Sequence, residues 1–193
     1  MTWPRPAAWK ATAATGVANT LNGSDETAIF QIHQAPDAGD TFTNPCISIH
    51  VGGGGVSTPE LASMWVRVNS NPNPTTHAGD TVRRTVWEES DYPTDVWQYW
   101  VIDVRPHWDA AQSPHLRVWR AVGAGALVQL VNDTQPNQVN NVADDYPKGG
   151  VYYWADAWTG GLTERVIHSK GIHRWSHSTD MTAAGVLAYL RGI

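Results

Sequence analysis

The chain has 193 residues, of which 41% are hydrophobic and 16% charged, and this composition excludes an intrinsically disordered protein. Its formal net charge of −5 argues against a general nucleic-acid binder and against a protein that binds anionic membranes. The single cysteine, Cys46, excludes an internal disulfide framework and a multi-cysteine metal site. No apolar run is long enough to span a bilayer, and the first residues lack the apolar core of a secretory signal peptide.

Segments with the period-two alternation of β-strands recur along the chain, and clusters of Gly, Pro, Asn and Asp separate them. The predicted strands cover residues 27–34, 46–51, 63–69, 81–89, 95–106, 115–122, 126–132, 149–156 and 164–172. Gly123 and Gly125 lie between two of these strands, which predicts a hairpin. Short strands with turns at this spacing predict an all-β protein.

The C-terminal segment, residues 178–193, has a helical pattern. A residue of 178–180 is predicted to cap this short helix, which ends at Gly192. The sequence has no internal repeat and no interdomain linker, so residues 1–193 are predicted to form a single domain. We therefore predict a jelly roll, a β-sandwich of two antiparallel sheets, and its concave face would suit an extended polymer.

The strand predicted at residues 27–34 carries two polar side chains that raise a functional question. Alternation places Ile29, Gln31 and His33 on one face and the other large apolar residues of the strand on the opposite face. The amide of Gln31 and the imidazole of His33 therefore project together from the face opposite the core. Such a pair is either part of a solvated sheet surface or part of a site.

The distribution of acidic residues disfavours a glycoside hydrolase. Hydrolysis needs two carboxylates on one face, which on a strand means acidic residues at alternating positions. Glu88 and Glu89 are adjacent and therefore face opposite sides, and Asp103 is alone in its strand. The eight histidines form no metal-ligand motif, and no serine nucleophile elbow is present. The sequence thus indicates no required cofactor and assigns no place to a structural cation.

Elimination from a uronic acid makes different demands. A base takes the proton from the carbon next to the carboxylate, an acid protonates the leaving oxygen, and neutral or cationic donors hold the carboxylate. Histidine and tyrosine suit the proton transfers, and Gln31 with His33 offers a carboxylate ligand beside a base. The stretch "DYPKGGVYYW" at residues 145–154 adds tyrosines and a lysine. These residues taken alone leave a site and a sheet surface equally open.

The stretch "FQIHQ", followed by "DYPKGGVYYW", resembles the paired motifs of jelly-roll polysaccharide lyases. These include alginate lyases, with Gln-Ile-His and Tyr-Phe-Lys-Ala-Gly-x-Tyr-Asn-Gln stretches, and the related glucuronan-lyase and heparin-lyase-like groups. The likeness spans about residues 26–156. It implies a concanavalin-like sandwich and an enzyme that cleaves a uronic-acid-containing polysaccharide by β-elimination, acting outside the cell or on a virion.

The resemblance also implies roles for single residues. His33 matches a catalytic residue that neutralises or deprotonates, and Gln31 matches a donor to the uronate carboxylate. Tyr152 matches the second tyrosine of the motif, which is the general acid and often also the base. Tyr146 and Lys148 match the first tyrosine and the lysine, which lies along the substrate groove.

Three departures from the family pattern are visible. Pro147 replaces an aromatic residue, Gly149 replaces an alanine, and an aromatic pair that ends at Trp154 replaces Asn-Gln. We expect Trp154 to stack on a neighbouring sugar.

The family also places an arginine-bearing strand before the Gln-Ile-His strand, where this chain has only Arg5 in a proline-rich stretch. Either that strand precedes Met1 in a longer chain or another arginine takes its role. Arg83 is the candidate, on a predicted face shared with Thr81, Thr85 and Trp87.

Two other classes of protein fit the same strands. One is a non-catalytic carbohydrate-binding module, which would bind a glycan without forming a product. The other is a structural or receptor-binding domain of a virion tail or cell-surface assembly.

Overall fold

The computed structural model describes residues 3–11, 27–35, 44–53, 62–71, 81–90, 93, 96–140, 145–153, 167–172 and 182–192. At residues 3–11, 53, 62, 151–153 and 167–172 the description covers the backbone. The strands in these ranges are β1 (Trp3–Ala11), β2 (Thr27–Gln34), β3 (Ile47–Gly53), β4 (Ala62–Ser70), β5 (Val82–Ser90), β6 (Gln98–Arg105), β7 (His115–Val122), β8 (Val128–Asp133), β9 (Asp145–Tyr153) and β10 (Ile167–Ile172). A 3₁₀ helix at Ala110–Gln112 and helix α1 at Ala183–Gly192 complete the described elements.

The strands form two antiparallel sheets of five strands each. The first sheet has the order β10-β1-β6-β7-β8 and the second has the order β5-β4-β3-β2-β9. Large apolar side chains of both sheets, among them Phe30, Ile49, Trp100 and Leu116, pack between them with almost no exposed surface. This arrangement confirms the predicted all-β sandwich and the hairpin between β7 and β8.

Helix α1 covers part of the outer face of the first sheet. Val186, Leu187 and Leu190 pack against Tyr99 and Val101 of β6, which forms a second, smaller apolar cluster. The helix ends at Gly192 as predicted, but the hydroxyl of Thr182 caps its start by accepting from the Gly185 N–H at 3.1 Å. The cap predicted within residues 178–180 lies outside the described residues.

Strand β1 was not predicted, because Pro4 and Pro6 argue against a strand. Each residue of β1 from Trp3 to Trp9 pairs with β6, whereas β10 pairs only with Ala7–Ala11. Both prolines therefore lie in the half of β1 that pairs with β6 alone. Because Pro4 and Pro6 alternate along the strand, their nitrogens face the same side of it. A proline is tolerated where its nitrogen faces an unpaired side. The strand belongs to the first sheet, whereas Gln31 and His33 lie in the second.

Strand β9 begins four residues earlier than predicted, at Asp145 instead of residue 149. Tyr146 and Lys148 therefore belong to the sheet and not to a preceding loop. Pro147 is compatible with this position because β9 is the edge strand of its sheet.

Two ion pairs join the sheets where β5 faces the other sheet. Arg84 of β5 binds Asp133 of β8 at 2.7 Å and also donates to the carbonyl of Pro136 at 2.7 Å. Arg120 of β7 forms a bidentate pair with Glu89 of β5. No helix among the described residues is long and apolar enough to cross a membrane.

Candidate active site

The second sheet presents polar side chains on the face that points away from the core, and we call this the polar face. Residues directly opposite each other on antiparallel strands project to the same side, so the register defines rows that cross the strands. The first row contains Lys148, Gln31, Ser48, Arg67 and Thr85, in the order β9-β2-β3-β4-β5. We call it the Gln31 row.

Two further rows flank the Gln31 row. On one side, Tyr146 pairs with His33, and Asn69 pairs with Arg83. We call this the His33 row. On the other side the order is Tyr152, Ala28, His50, Trp65 and Glu88, which we call the Ala28 row.

Gln31 is the residue whose surroundings most clearly call for a ligand. It is 2% exposed, and among the described residues its Nε2 has no hydrogen-bond partner. Gln31 lines a cavity of about 270 Å³, whose other lining residues are Ala28, Ile29 and Phe30 of β2 and Lys148, Gly149 and Gly150 of β9. A buried N–H group without a partner costs free energy, and an acceptor in the cavity would remove that cost.

The hydrogen bonding of His33 fixes which ring nitrogen can take a proton. Its Nδ1 lies 2.9 Å from the carbonyl oxygen of Gln34, which can only accept, so Nδ1 carries the hydrogen. In the neutral ring the lone pair is then on Nε2. The imidazole is buried and stacks on Tyr146 with 5.6 Å between the ring centroids. Nζ of Lys148 lies 5.2 Å from the centre of the same tyrosine ring.

Arg67 is a cationic member of the polar face that the sequence prediction missed. It lies in the Gln31 row, two strands from Gln31, and its guanidinium lies 5.9 Å from the centre of the Trp65 ring. Trp65 in turn stacks on His50 with an interplanar angle of 3°, and Nε2 of His50 hydrogen-bonds the hydroxyl of Ser48. The alternation of "SMWVRVN" places Arg67 opposite the core-facing valines of β4, which is the signal that would have identified it.

Arg83 lies in the His33 row, on the edge strand β5, and is exposed. Its Nε donates to Oδ1 of Asn69 at 3.4 Å. The predicted candidate for the carboxylate-binding arginine is therefore three strands away from Gln31, whereas Arg67 is two strands away in the same row.

Two β-bulges correct the predicted faces. Ile29 is an extra residue of β2 relative to β3, so it packs in the core beside Phe30 and does not share the face of Gln31. Val86 is an extra residue of β5 relative to β4, and Trp87 therefore turns toward the core, away from the face of Arg83. Strict alternation fails at both positions because a bulge inserts one residue without a partner.

A further bulge of this sheet sets the position of Tyr152. Between Gly149, which pairs with Phe30, and Tyr152, which pairs with Ala28, strand β9 has one residue more than β2. Gly150 lies in this bulge with φ = +133°, a conformation that favours glycine. The backbone of Tyr152 thus lies opposite Ala28. Its side chain, like the whole of Trp154, lies outside the described residues.

Cys46 is buried next to the polar face and is not a reactive thiol. Burial, with a smaller contribution from the charge of Asp145, raises the pKa of Cys46 from 9.0 to about 12. In the part of the chain that the structure describes, no three His, Cys, Asp or Glu side chains are grouped to hold a metal ion.

Comparisons with known proteins bear on the fold. No protein-family model matches the chain, and no curated protein matches it significantly in sequence. Among solved structures, an alginate lyase from Klebsiella pneumoniae aligns over 92% of this chain with a TM-score of 0.58 and 13% identity. An alginate lyase from Pseudomonas aeruginosa aligns over 92% with a TM-score of 0.50 and 18% identity. An endo-β-1,4-glucuronan lyase from the fungus Trichoderma reesei aligns over 78% of this chain and 56% of its own, with a TM-score of 0.46 and 14% identity.

The chain spans 61% of the Klebsiella chain and 64% of the Pseudomonas chain. At these identities the likeness establishes the fold and nothing beyond it. The sandwich has the jelly-roll fold of the polysaccharide lyases, as the two sequence motifs predicted.

Proposed function

We propose that this chain is a polysaccharide lyase that cleaves a uronic-acid-containing polysaccharide by β-elimination. The observation that carries the proposal is the buried Nε2 of Gln31, an N–H donor that has no partner among the described residues and belongs to a residue that lines a cavity. A carboxylate consists of acceptors, so it fits this donor. The guanidinium of Arg67, in the same row, supplies a positive charge for the same group.

The chemistry of elimination matches the order of the rows. Holding the carboxylate between amide and guanidinium donors stabilises the negative charge that forms when the neighbouring C–H proton leaves. His33 lies one row from Gln31, about 7 Å along β2, and its Nε2 is the atom that would accept this proton. Tyr152 belongs to the Ala28 row on the other side of Gln31. We assign it the role of general acid, which donates a proton to the leaving oxygen.

Charge on the polar face supports an anionic substrate. The chain as a whole carries a net charge of −5, yet the rows of this face contain three cationic residues, Arg67, Arg83 and Lys148, against one acidic residue, Glu88 at the edge strand. A local positive field attracts a polyanion even on an acidic protein. We assign Lys148 and Tyr146 to substrate binding along the groove and Trp154 to stacking on a neighbouring sugar. Such a substrate implies action outside the cell or on a virion.

The test is a lyase assay on a panel of polymers. Alginate, glucuronan, heparin, heparan sulfate, chondroitin and hyaluronan are incubated with the protein while ultraviolet absorbance follows the new carbon–carbon double bond. We expect a rise on at least one polymer. His33→Ala and Tyr152→Phe should each lower kcat by about 100-fold or more, since each removes a proton-transfer group. Arg67→Ala should lower kcat/KM by about 10- to 100-fold, because it removes a charged hydrogen-bond donor that also stabilises the charge formed in the transition state.

Arg117→Ala is the matched control for Arg67→Ala. Arg117 is exposed and pairs with Asp103 of the first sheet, so its removal changes the net charge equally without touching the polar face. A flat absorbance on every polymer, from protein shown to be folded, would exclude the lyase. Glycan binding without product would indicate a carbohydrate-binding module instead.

A further inference from the structure

Arg83 lies at the edge of the polar face, where its exposed side chain makes a contact with the sheet. Its Nε donates to Oδ1 of Asn69 at 3.4 Å, and Asn69 is itself 2% exposed. Two hydrogen bonds anchor that asparagine: its Nδ2 donates to the carbonyl of Pro45 at 2.6 Å and its backbone N–H to that of Cys46 at 2.7 Å. The Nε of Arg83 therefore donates to a group that the sheet itself holds in place.

Arg83 and Arg84 are neighbours on one strand with opposite surroundings. Arg84 crosses to the other sheet, where Asp133 neutralises its charge. Arg83 contacts a neutral amide, so the charge of its guanidinium is not cancelled by that contact. An arginine whose orientation is set by a neutral group is suited to bind an anion.

The spacing between Arg83 and His33 across the sheet can be expressed as a length of polysaccharide. Both lie in the His33 row, and three strand spacings, from β5 to β2, separate them. At about 4.8 Å per strand this is about 14 Å, and a 1,4-linked sugar advances about 5 Å per residue. A polysaccharide that crosses the strands along this row advances by about one residue per strand, so its carboxylate at β5 lies three residues from His33.

We infer that Arg83 binds the carboxylate of a uronate three residues from the sugar at His33. This inference rests on the proposed function, since it names a distal subsite of the same groove. The substrate is then a run of consecutive uronates long enough to cross from β9 to β5. Arg83 discriminates by length and charge and takes no part in the proton transfers.

The test is the length dependence of binding. Oligoalginates and oligoglucuronates, from trisaccharide to hexasaccharide, are titrated calorimetrically into wild type, Arg83→Ala, Arg83→Lys and the control Arg117→Ala. We expect Arg83→Ala to weaken hexasaccharide binding by about three- to tenfold, to leave the trisaccharide within twofold, and to lose its effect at high salt. Arg83→Lys should recover part of the loss, and the control should match wild type.

The outcomes separate the inference from the proposed function. If wild type binds and cleaves uronates but Arg83→Ala weakens all lengths equally or none, the subsite is excluded and the lyase stands. If wild type binds hexasaccharides in an Arg83-dependent way without cleaving any, the subsite stands and the lyase is excluded. If wild type binds no oligouronate, the subsite is excluded, and the lyase is excluded for alginate and glucuronan. A thermal unfolding curve for each variant identifies any loss that is due to folding.

Discussion

Tyr146 links two polar side chains through its ring. The ring stacks on His33 at 5.6 Å and lies 5.2 Å from Nζ of Lys148, so both contacts use the aromatic face. We therefore expect Tyr146→Phe to keep kcat/KM within about threefold of wild type and Tyr146→Leu to lower it by about tenfold. NMR of the His33 ring protons checks the cause, since the ring-current shift should persist in the phenylalanine variant and vanish with leucine. An unchanged His33 resonance in Tyr146→Leu would contradict this explanation.

Single residues of the site were predictable where one strand contained the whole signal. Gln31 and His33 stand out because two polar side chains alternate with core residues in one strand. Arg67 obeys the same alternation, but its relation to Gln31 depends on β3 lying between β2 and β4. Strand order depends on contacts between distant segments, which a pattern within one strand does not contain. That the Nε2 of Gln31 has no partner among the described residues likewise follows from packing and not from the sequence.

At the level of elements, Gly150 has a backbone conformation in strand β9 that a residue with a side chain would strain. Its φ of +133° is rarely adopted by residues with a side chain, although a Cβ would meet no atom within 4 Å. We expect Gly150→Ala to reduce the free energy of unfolding by about 1–3 kcal/mol and to displace Tyr152 from the Ala28 row. Urea denaturation measures the first effect and the lyase assay the second.

Gly185→Ala is the control of opposite sign. Gly185 lies in helix α1 and has no positive φ, and its added Cβ would meet Thr182 at an ordinary 3.5 Å. Alanine there should stabilise by about 0.5–1 kcal/mol. If both substitutions shift stability equally, strain at Gly150 is not the cause.

The existence of most elements was predictable, but the bulges were not. Period-two alternation identifies a strand because the residues on each face of the strand share one character. One inserted residue shifts the following side chains to the other face, and the residue types at that position do not reveal the insertion. Ile29 and Trp87 were assigned to the wrong faces for this reason. Strand β1 was missed for a related reason, because Pro4 and Pro6 are acceptable only beside an unpaired edge, and the edge is defined by β10.

At the scale of the whole molecule, the ion pair of Arg120 and Glu89 connects the two sheets. Arg120 is 9% exposed, and its guanidinium lies 5.2 Å from the Trp87 ring centre and 5.6 Å from that of Trp100. Glu89→Gln would leave this charge buried without its counter-charge. We expect a loss of about 2–3 kcal/mol in the free energy of unfolding, measured by denaturant titration.

The corresponding exposed pair provides the comparison. Asp103 binds Arg117 at 3.3 Å on the outer face of the first sheet, with the arginine side chain 45% exposed. Asp103→Asn should change stability by less than about 1 kcal/mol. Equal losses in the two variants would show that burial does not decide the strength of these pairs. The sandwich itself was predictable from strand and turn spacing. The ion pairs between the sheets were not, because they depend on which strands face each other.

The uneven distribution of charge has a consequence for the kinetics of encounter. A polyanion approaching from a distance meets the repulsion of a body with net charge −5, while near the polar face it meets Arg67, Arg83 and Lys148. Salt weakens the distant repulsion before it weakens the close contacts, since the screening length at 0.1 M is about 10 Å. Moderate salt therefore speeds association while it also speeds dissociation. Low ionic strength then favours processive action on one polymer. High ionic strength favours frequent exchange between polymers.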